Sequence, residues 1–121
     1  MKIIISGAYA IGTHLAKLLS REHDDIVLMD TDEERLASIG TDVDILTMEA
    51  SPTSVKALRK AGAENADLFI AVTPDESMNM ASCTLAKALG TRKTVAKIDN
   101  AEYIEPELKE FFAGLGVSSI I

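Results

Sequence analysis

An apolar run leading into a glycine turn, Ile3-Ile4-Ile5-Ser6-Gly7-Ala8-Tyr9-Ala10-Ile11-Gly12, constrains this chain most. A buried strand, a turn of the form G-x-G-x-x-G and a helix beginning near Ile11 make the opening unit of a dinucleotide-binding fold. In that unit the first glycine permits the tight turn. The second lets backbone approach a pyrophosphate, and the third lets the helix pack closely. Here the second position is Tyr9, which adds a Cβ and a ring. Two outcomes stay open for it. The ring swings outward and covers or stacks on a ligand, or it fills the phosphate position and abolishes binding.

The rest of the chain repeats the strand–helix rhythm. Strand-like runs are Ile3 to Ile5, Ile26 to Met29, Val43 to Leu46, Leu68 to Val72, Val95 to Ile98 and Val117 to Ile121. They are short and mostly apolar, as strands buried on both faces are. Helical patterns lie at 11–20, 32–39, 53–61, 76–89 and 102–113. In the first, Ile11, Leu15, Leu18 and Leu19 are expected on the buried face. Gly40, Gly62, Gly90 and Gly116 follow helical segments, where a left-handed terminal residue is wanted. Ser51 is expected to cap the third helix with Pro52 in its first turn, Asp75 to cap the fourth, and Pro106 to start or kink the fifth. Alternation of this kind implies parallel pairing with right-handed crossovers. The expected fold is α/β: Rossmann-like and doubly wound, a six-stranded mostly parallel sheet with helices on both faces. It accounts for residues 1–121 as one domain.

Composition narrows the function. The core must be aliphatic, because aromatics are only 4% and Trp is absent. A net charge of −7 argues against nonspecific binding to nucleic acid or anionic lipid. It leaves room for an anionic ligand, because helix N-termini bind phosphate locally. The single cysteine, Cys83, excludes an internal disulfide and fits a reducing compartment. No apolar run is long enough to span a bilayer, and a strand starting at residue 2 leaves no room for a signal peptide. The expectation is a cytoplasmic protein.

Asp30 is the second site signal. It ends the second strand, near the distance of about 20 residues from the glycine turn at which an acid accepts the ribose hydroxyls. Its charge would repel a 2′-phosphate, so NAD is favoured over NADP. The competing reading is a capping residue for the helix at 32–39, a role open equally to Asp32.

The run Met1 to Ile5, the segment His14 to Leu19 and the stretch Asp24-Asp25-Ile26-Val27-Leu28-Met29-Asp30-Thr31-Asp32-Glu33-Glu34-Arg35-Leu36 resemble the N-terminal nucleotide-binding domain of TrkA-type proteins. These are the regulatory subunits of bacterial potassium uptake, also called RCK or KTN domains. Ala61 to Asp67, Ala71-Val72-Thr73-Pro74-Asp75-Glu76-Ser77-Met78-Asn79 and Val95 to Tyr103 extend the resemblance over the whole chain. The resemblance implies that Gly7, Ala8, Tyr9, Ala10, Ile11 and Gly12 hold phosphates and that Asp30, with Thr31, holds the adenosine ribose. It places Glu49, Ala50 and Ser51 beside the adenine and Val72 and Thr73 at the phosphate–ribose end, with Asp75, also a cofactor-binding position, opening the next helix. Lys97 stands where the family usually has an arginine, keeping the charge without the bidentate fork. Tyr9, the Met48-Glu49 pair and Lys97 depart from the family pattern. Full subunits of the family continue into a crossover helix and a second lobe, which implies a longer parent chain. The apolar ending Ser119-Ile120-Ile121 favours a homo-oligomer.

The function that follows is a regulatory sensor. It binds NAD or NADH, or alternatively ATP or ADP, and controls a potassium transporter or channel. It would lie on the cytoplasmic side of the inner membrane through that partner, with no nucleic-acid partner and no membrane insertion of its own. No general acid or base stands beside the site, so no enzyme activity is expected. A degenerate domain that only assembles, motivated by Tyr9, and the cofactor domain of an oxidoreductase are the alternatives. Elsewhere Cys83 reads as core and Glu33, Glu34 and Arg35 as a solvated helix face. Met78 and Met80 read as core or interface. His14 and His23 lack partners at metal-ligand spacing, and Ser6, Ser51, Ser77 and Ser82 lack a His–Asp arrangement.

Overall fold

The chain was analysed as a computed structural model that describes residues 1–22, 24–40 and 44–121. Its strands are β1 (Lys2–Ser6), β2 (Asp25–Asp30), β3 (Leu46–Glu49), β4 (Leu68–Ala71), β5 (Lys93–Ala96) and β6 (Ser119–Ile120). They form one six-stranded sheet in the order β3-β2-β1-β4-β5-β6, every pairing parallel. The helices are α1 (Ala10–Ser20), α2 (Glu33–Ala37), α3 (Val55–Ala61), α4 (Glu76–Leu89) and α5 (Lys109–Gly114).

Alternation along the strands sends side chains to two cores. Ile3, Ile5, Leu28 and Ile70 meet Ala16 of α1 and Leu36 of α2 on one face. Ile4, Val27, Met29 and Phe69 meet Leu58 of α3, Cys83 and Ala86 of α4, and Phe112 of α5 on the other. Each fully buried Ile, Leu or Phe contributes about 1.5–3 kcal/mol, so both helical layers are held by the central strands β1, β2 and β4. Cys83 is fully buried, and burial pushes its thiol up to about 12, as suits a packing residue.

Helix rotation differs from the expectation at α1. Gly12 and Ala16 face the sheet with Leu15 and Leu19 beside them, while Ile11 and Leu18 are exposed. The cause is close approach. A Cβ on Gly12 would lie 1.8 Å from the Gly7 carbonyl oxygen, so the smallest residues turn inward. Gly7 itself adopts φ +110°, with its Cα against the backbone of Val72. The four glycines expected at helix ends all have positive φ.

Several boundaries also differ: the fifth strand runs Lys93–Ala96 rather than Val95 to Ile98, and the sixth is confined to Ser119–Ile120. The third strand begins at Leu46, and the expected start at Val43 lies outside the described residues. As an edge strand paired only to β2, it is largely exposed rather than buried on both faces. The third helix is capped by Ser54, whose side chain accepts from the Ala57 N–H. Ser51 instead opens a turn, closed by Ser54 N–H to Ser51 O at 3.1 Å. Pro52 takes the second position of that turn, which its fixed φ suits as well as a helix start. The fifth helical segment is split into 3₁₀ turns at Ala101–Ile104 and Pro106–Leu108 followed by α5. Pro106 forces Glu105 into extended backbone at ψ 138° and so breaks the run.

Two glycine substitutions separate close approach from propensity. Gly12→Ala is expected to cost about 3 kcal/mol or more, because backbone must move. Gly114→Ala meets nothing within 4 Å and should be neutral or stabilising by up to about 1 kcal/mol. Urea unfolding midpoints of the two variants check this contrast.

Candidate functional site

Strand order reverses between β1 and β4, and a crevice opens there beyond the carboxyl ends of the strands. A cavity of about 190 Å³ lies in it, lined by Ser6, Gly7, Tyr9, Met29, Asp30, Thr31, Arg35, Pro52, Thr73, Pro74, Asp75 and Met78. The structure therefore brings Gly7, Tyr9, Asp30, Thr31, Thr73 and Asp75 together, as the sequence suggested.

The β1–α1 turn is held from below. Gly7 N–H donates to Met29 O at 2.8 Å, and Ala8 N–H donates to Asp30 Oδ2 at 2.8 Å. Tyr9 is the N-cap of α1 in extended backbone, φ −89°, a conformation any residue adopts. Its side chain makes no capping hydrogen bond, and the first helical bond runs from Thr13 N–H to Tyr9 O at 2.9 Å. The N–H groups of the first turn, Ala10 to Gly12, thus lack intrahelical acceptors and carry the positive end of the helix dipole.

Asp30 sits at the end of β2 with its side chain 3% exposed. Its Oδ1 accepts the Asp32 N–H at 2.8 Å. The Arg35 guanidinium closes on both carboxylate oxygens at 3.0–3.2 Å. Burial works to raise the Asp30 pKa. Hydrogen bonds from Arg35, Ala8 N–H and Asp32 N–H outweigh it and hold the carboxyl below its ordinary value. Asp32, not Asp30, caps α2, accepting from Glu34 and Arg35 N–H groups.

The sequence places Arg35 on a solvated helix face with Glu33 and Glu34. Arg35 folds back instead, because the short α2 carries it over the β2 terminus, where the buried carboxylate needs a cation. Its Cζ lies 4.3 Å from the centroid of the Tyr9 ring, within cation–π range. Tyr9 thus turns outward from the turn and takes the guanidinium on its face.

The far wall is organised by Asn79, which is buried and went unremarked as a site residue in the sequence. Its Oδ1 accepts from Thr73 N–H at 3.0 Å and Thr73 Oγ1 at 2.6 Å. Its Nδ2 donates to Thr73 O and Lys97 O, both at 2.9 Å. One amide thereby ties the ends of β4 and β5. Asp75 caps α4 as expected, accepting from Met78 N–H at 3.1 Å. Ser6 was also missed as a lining residue. Its Oγ is the one buried side-chain polar atom without a hydrogen-bond partner among the described residues.

Other expected residues lie outside the cavity lining. Val72 is buried beneath Gly7 and Gly12, a floor rather than a wall. Glu49 pairs in register with Asp30, but lines a separate surface cleft with Glu33 and Thr47. Ala50 N–H is fixed by Asp30 O at 2.9 Å, and Ser51 Oγ bonds to Thr53 Oγ1 at 2.9 Å. Lys97 Nζ pairs with Asp99 at 2.8 Å. Among the described residues no group of three or more His, Cys, Asp or Glu side chains is arranged to hold a metal ion.

The family model for the TrkA-N domain matches residues 3–121. The Trk system potassium uptake protein TrkA of Haemophilus influenzae is 41% identical over 112 residues, covering 92% of this chain and 24% of that protein. A TrkA homologue of Archaeoglobus fulgidus is 34% identical over 118 residues, covering 97% of this chain and 27% of that protein. The chain thus spans about a quarter of the length of these two relatives. Among solved structures, the TrkA-N domain of the inner membrane protein YbaL from Escherichia coli superposes with a TM-score of 0.81 at 13% identity. The match covers 99% of this chain and 85% of that one. The GsuK channel bound to NAD superposes at 0.78 with 18% identity, over 99% of this chain and 21% of that one. At these identities the superpositions establish the Rossmann-like fold.

The Asp30 cluster predicts a pH signature. A carboxylate whose folded pKa lies below its ordinary 3.8 adds stability that is fully present above that value. That stability is lost as pH falls through the folded pKa. Urea titrations at successive pH values should show this loss in the wild type, and Asp30→Asn should flatten the acid limb and lower stability at pH 7.

Proposed function

The chain belongs to the TrkA-N domain family, and on that premise we propose that it is a regulatory nucleotide-sensing domain. It binds NAD or NADH, with ATP or ADP as the alternative ligands, and governs a potassium transporter or channel. The observation that carries this reading is the crevice at the strand-order reversal. It has uncapped α1 N–H groups on one side, a buried carboxylate on another and the orphaned Ser6 hydroxyl within.

These residues fit an adenosine nucleotide. The α1 N-terminus, Gly7 to Gly12, supplies backbone donors for phosphate oxygens. Asp30, beside Thr31, supplies the acceptor for ribose hydroxyls. Glu49, Ala50 and Ser51 border the adenine beyond β3. Val72, Thr73 and Asp75 frame the phosphate–ribose end, and Lys97, outside the cavity lining and paired with Asp99, would have to leave that pair to bring positive charge to a phosphate. The cavity, at about 190 Å³, is smaller than the roughly 300–1,000 Å³ of ordinary ligand sites, and the stacked Tyr9 and Arg35 form part of its lining.

Regulation needs a ligand that favours one of two states. The relatives named as potassium uptake proteins and the channel solved with NAD support a membrane partner of that class. With such a partner the domain works on the cytoplasmic side of the inner membrane, as a homo-oligomer. Among the described residues the two carboxylates that line the crevice are engaged structurally, Asp30 by Arg35 and backbone N–H groups and Asp75 as the α4 cap. The Tyr9–Arg35 stack supports a second reading, a domain that assembles without nucleotide.

Calorimetric titration with NADH, NAD, ATP and ADP separates the two. The sensor reading expects micromolar binding of at least one of them and its loss in Asp30→Ala. Silence from the wild type with binding by a Tyr9→Gly variant, and self-association retained, would replace it with the assembly reading.

A further inference from the structure

A carboxylate offers about four lone-pair positions. On Asp30 the backbone takes two, through Ala8 and Asp32 N–H. The Arg35 fork takes the remainder, through Nε to both oxygens and Nη2 to Oδ1. A ribose diol therefore finds no free acceptor while Arg35 stays in place. The same guanidinium covers the Tyr9 ring, so one side chain closes both the ribose acceptor and the aromatic face beside the turn.

We propose that Arg35 is a latch on the adenosine end of the site, competing with the ribose hydroxyls for Asp30, so that it sets which nucleotides bind and how tightly. This rests on Asp30 being the ribose acceptor. The latch can open. Arg35 is one-third exposed, and its Nη1 contact to the exposed Asp32, at 3.1 Å, can persist as the rest swings outward. What replaces it is dictated by the buried carboxylate. Without Arg35 the buried carboxylate keeps only its two backbone donors, from Ala8 and Asp32, and loses its counter-charge, which is costly, so the incoming group must bring hydrogen-bond donors of its own. A 2′,3′-cis-diol brings two. A 2′-deoxyribose brings fewer, and a 2′-phosphate brings negative charge. The latch therefore selects unphosphorylated ribonucleotides.

The test follows the arginine Nε–H signals of the 121-residue chain by ¹H–¹⁵N NMR. The Arg35 signal is assigned through Arg35→Gln, and NAD and ADP are titrated into both proteins. The free wild type should show the Arg35 Nε–H protected from exchange and shifted by the Tyr9 ring. At saturation it should move to the position of a solvated arginine. Arg35→Gln should bind at least about threefold more tightly, because the closed state no longer withholds the site. NADP and 2′-deoxy-ADP should bind neither protein comparably. Binding seen only in Arg35→Gln also supports the latch. Binding that leaves the wild-type Arg35 signal unmoved overturns the latch and leaves the nucleotide site standing. Weaker binding by Arg35→Gln overturns it too, by making Arg35 a ligand contact. Silence from both proteins removes the nucleotide site, and the latch with it.

Discussion

The buried carboxylate of Asp30 organises this molecule's working end. It accepts from Ala8 N–H and so sets the height of the β1–α1 turn. It accepts from Asp32 N–H and so sets where the chain leaves β2 for α2. The loops that follow β1 and β2 are thereby referenced to one side chain. Charge-assisted hydrogen bonds to backbone are strong and directional, and a buried acid deprived of them would be costly. The arginine completes the arrangement from the solvent side.

On the proposed reading the same carboxylate would also accept the ribose hydroxyls, and Asp30 would then serve the protein and the ligand by turns. In this fold Asp30 is satisfied by protein, with Arg35 as its side-chain donor. Tyr9 adds a face on which that donor rests, at the position where the common pattern has glycine. The tyrosine therefore does not strain the turn. Its extended backbone is ordinary, and the ring points toward α2 rather than into the helix N-terminus. On the proposed reading its effect falls on access.

Much of the fold was legible because alternation of apolar strands and helices has few parallel-sheet solutions. Gly7 and Gly12 carried the turn, and the backbone contacts found at both explain why. Other features were hidden for physical reasons. The inward face of α1 was misread because hydrophobicity ranks Ile11 and Leu18 above Gly12 and Ala16, whereas close packing selects the small residues. Ser54 and Ser51 were equivalent as caps until tertiary packing chose between a turn and a helix start. Arg35 looked solvated because its neighbours Glu33 and Glu34 are, and a short helix gives no periodicity from which to read a fold-back. Asn79 was obscured similarly, since its four bonds reach across to residues 73 and 97. Of the candidate site, the glycine turn, Asp30 and Thr73 could be placed together from the sequence. The side chains that close over them could not.

The most direct test of the account is backbone amide hydrogen exchange in wild type and Asp30→Ala, compared residue by residue. If Asp30 anchors both loops, the amides of Ala8 and Asp32 lose protection together in the variant, while Ile4 in the sheet core remains protected. Unchanged protection at Ala8 and Asp32 would contradict the account, because the turn would then hold its shape without the carboxylate.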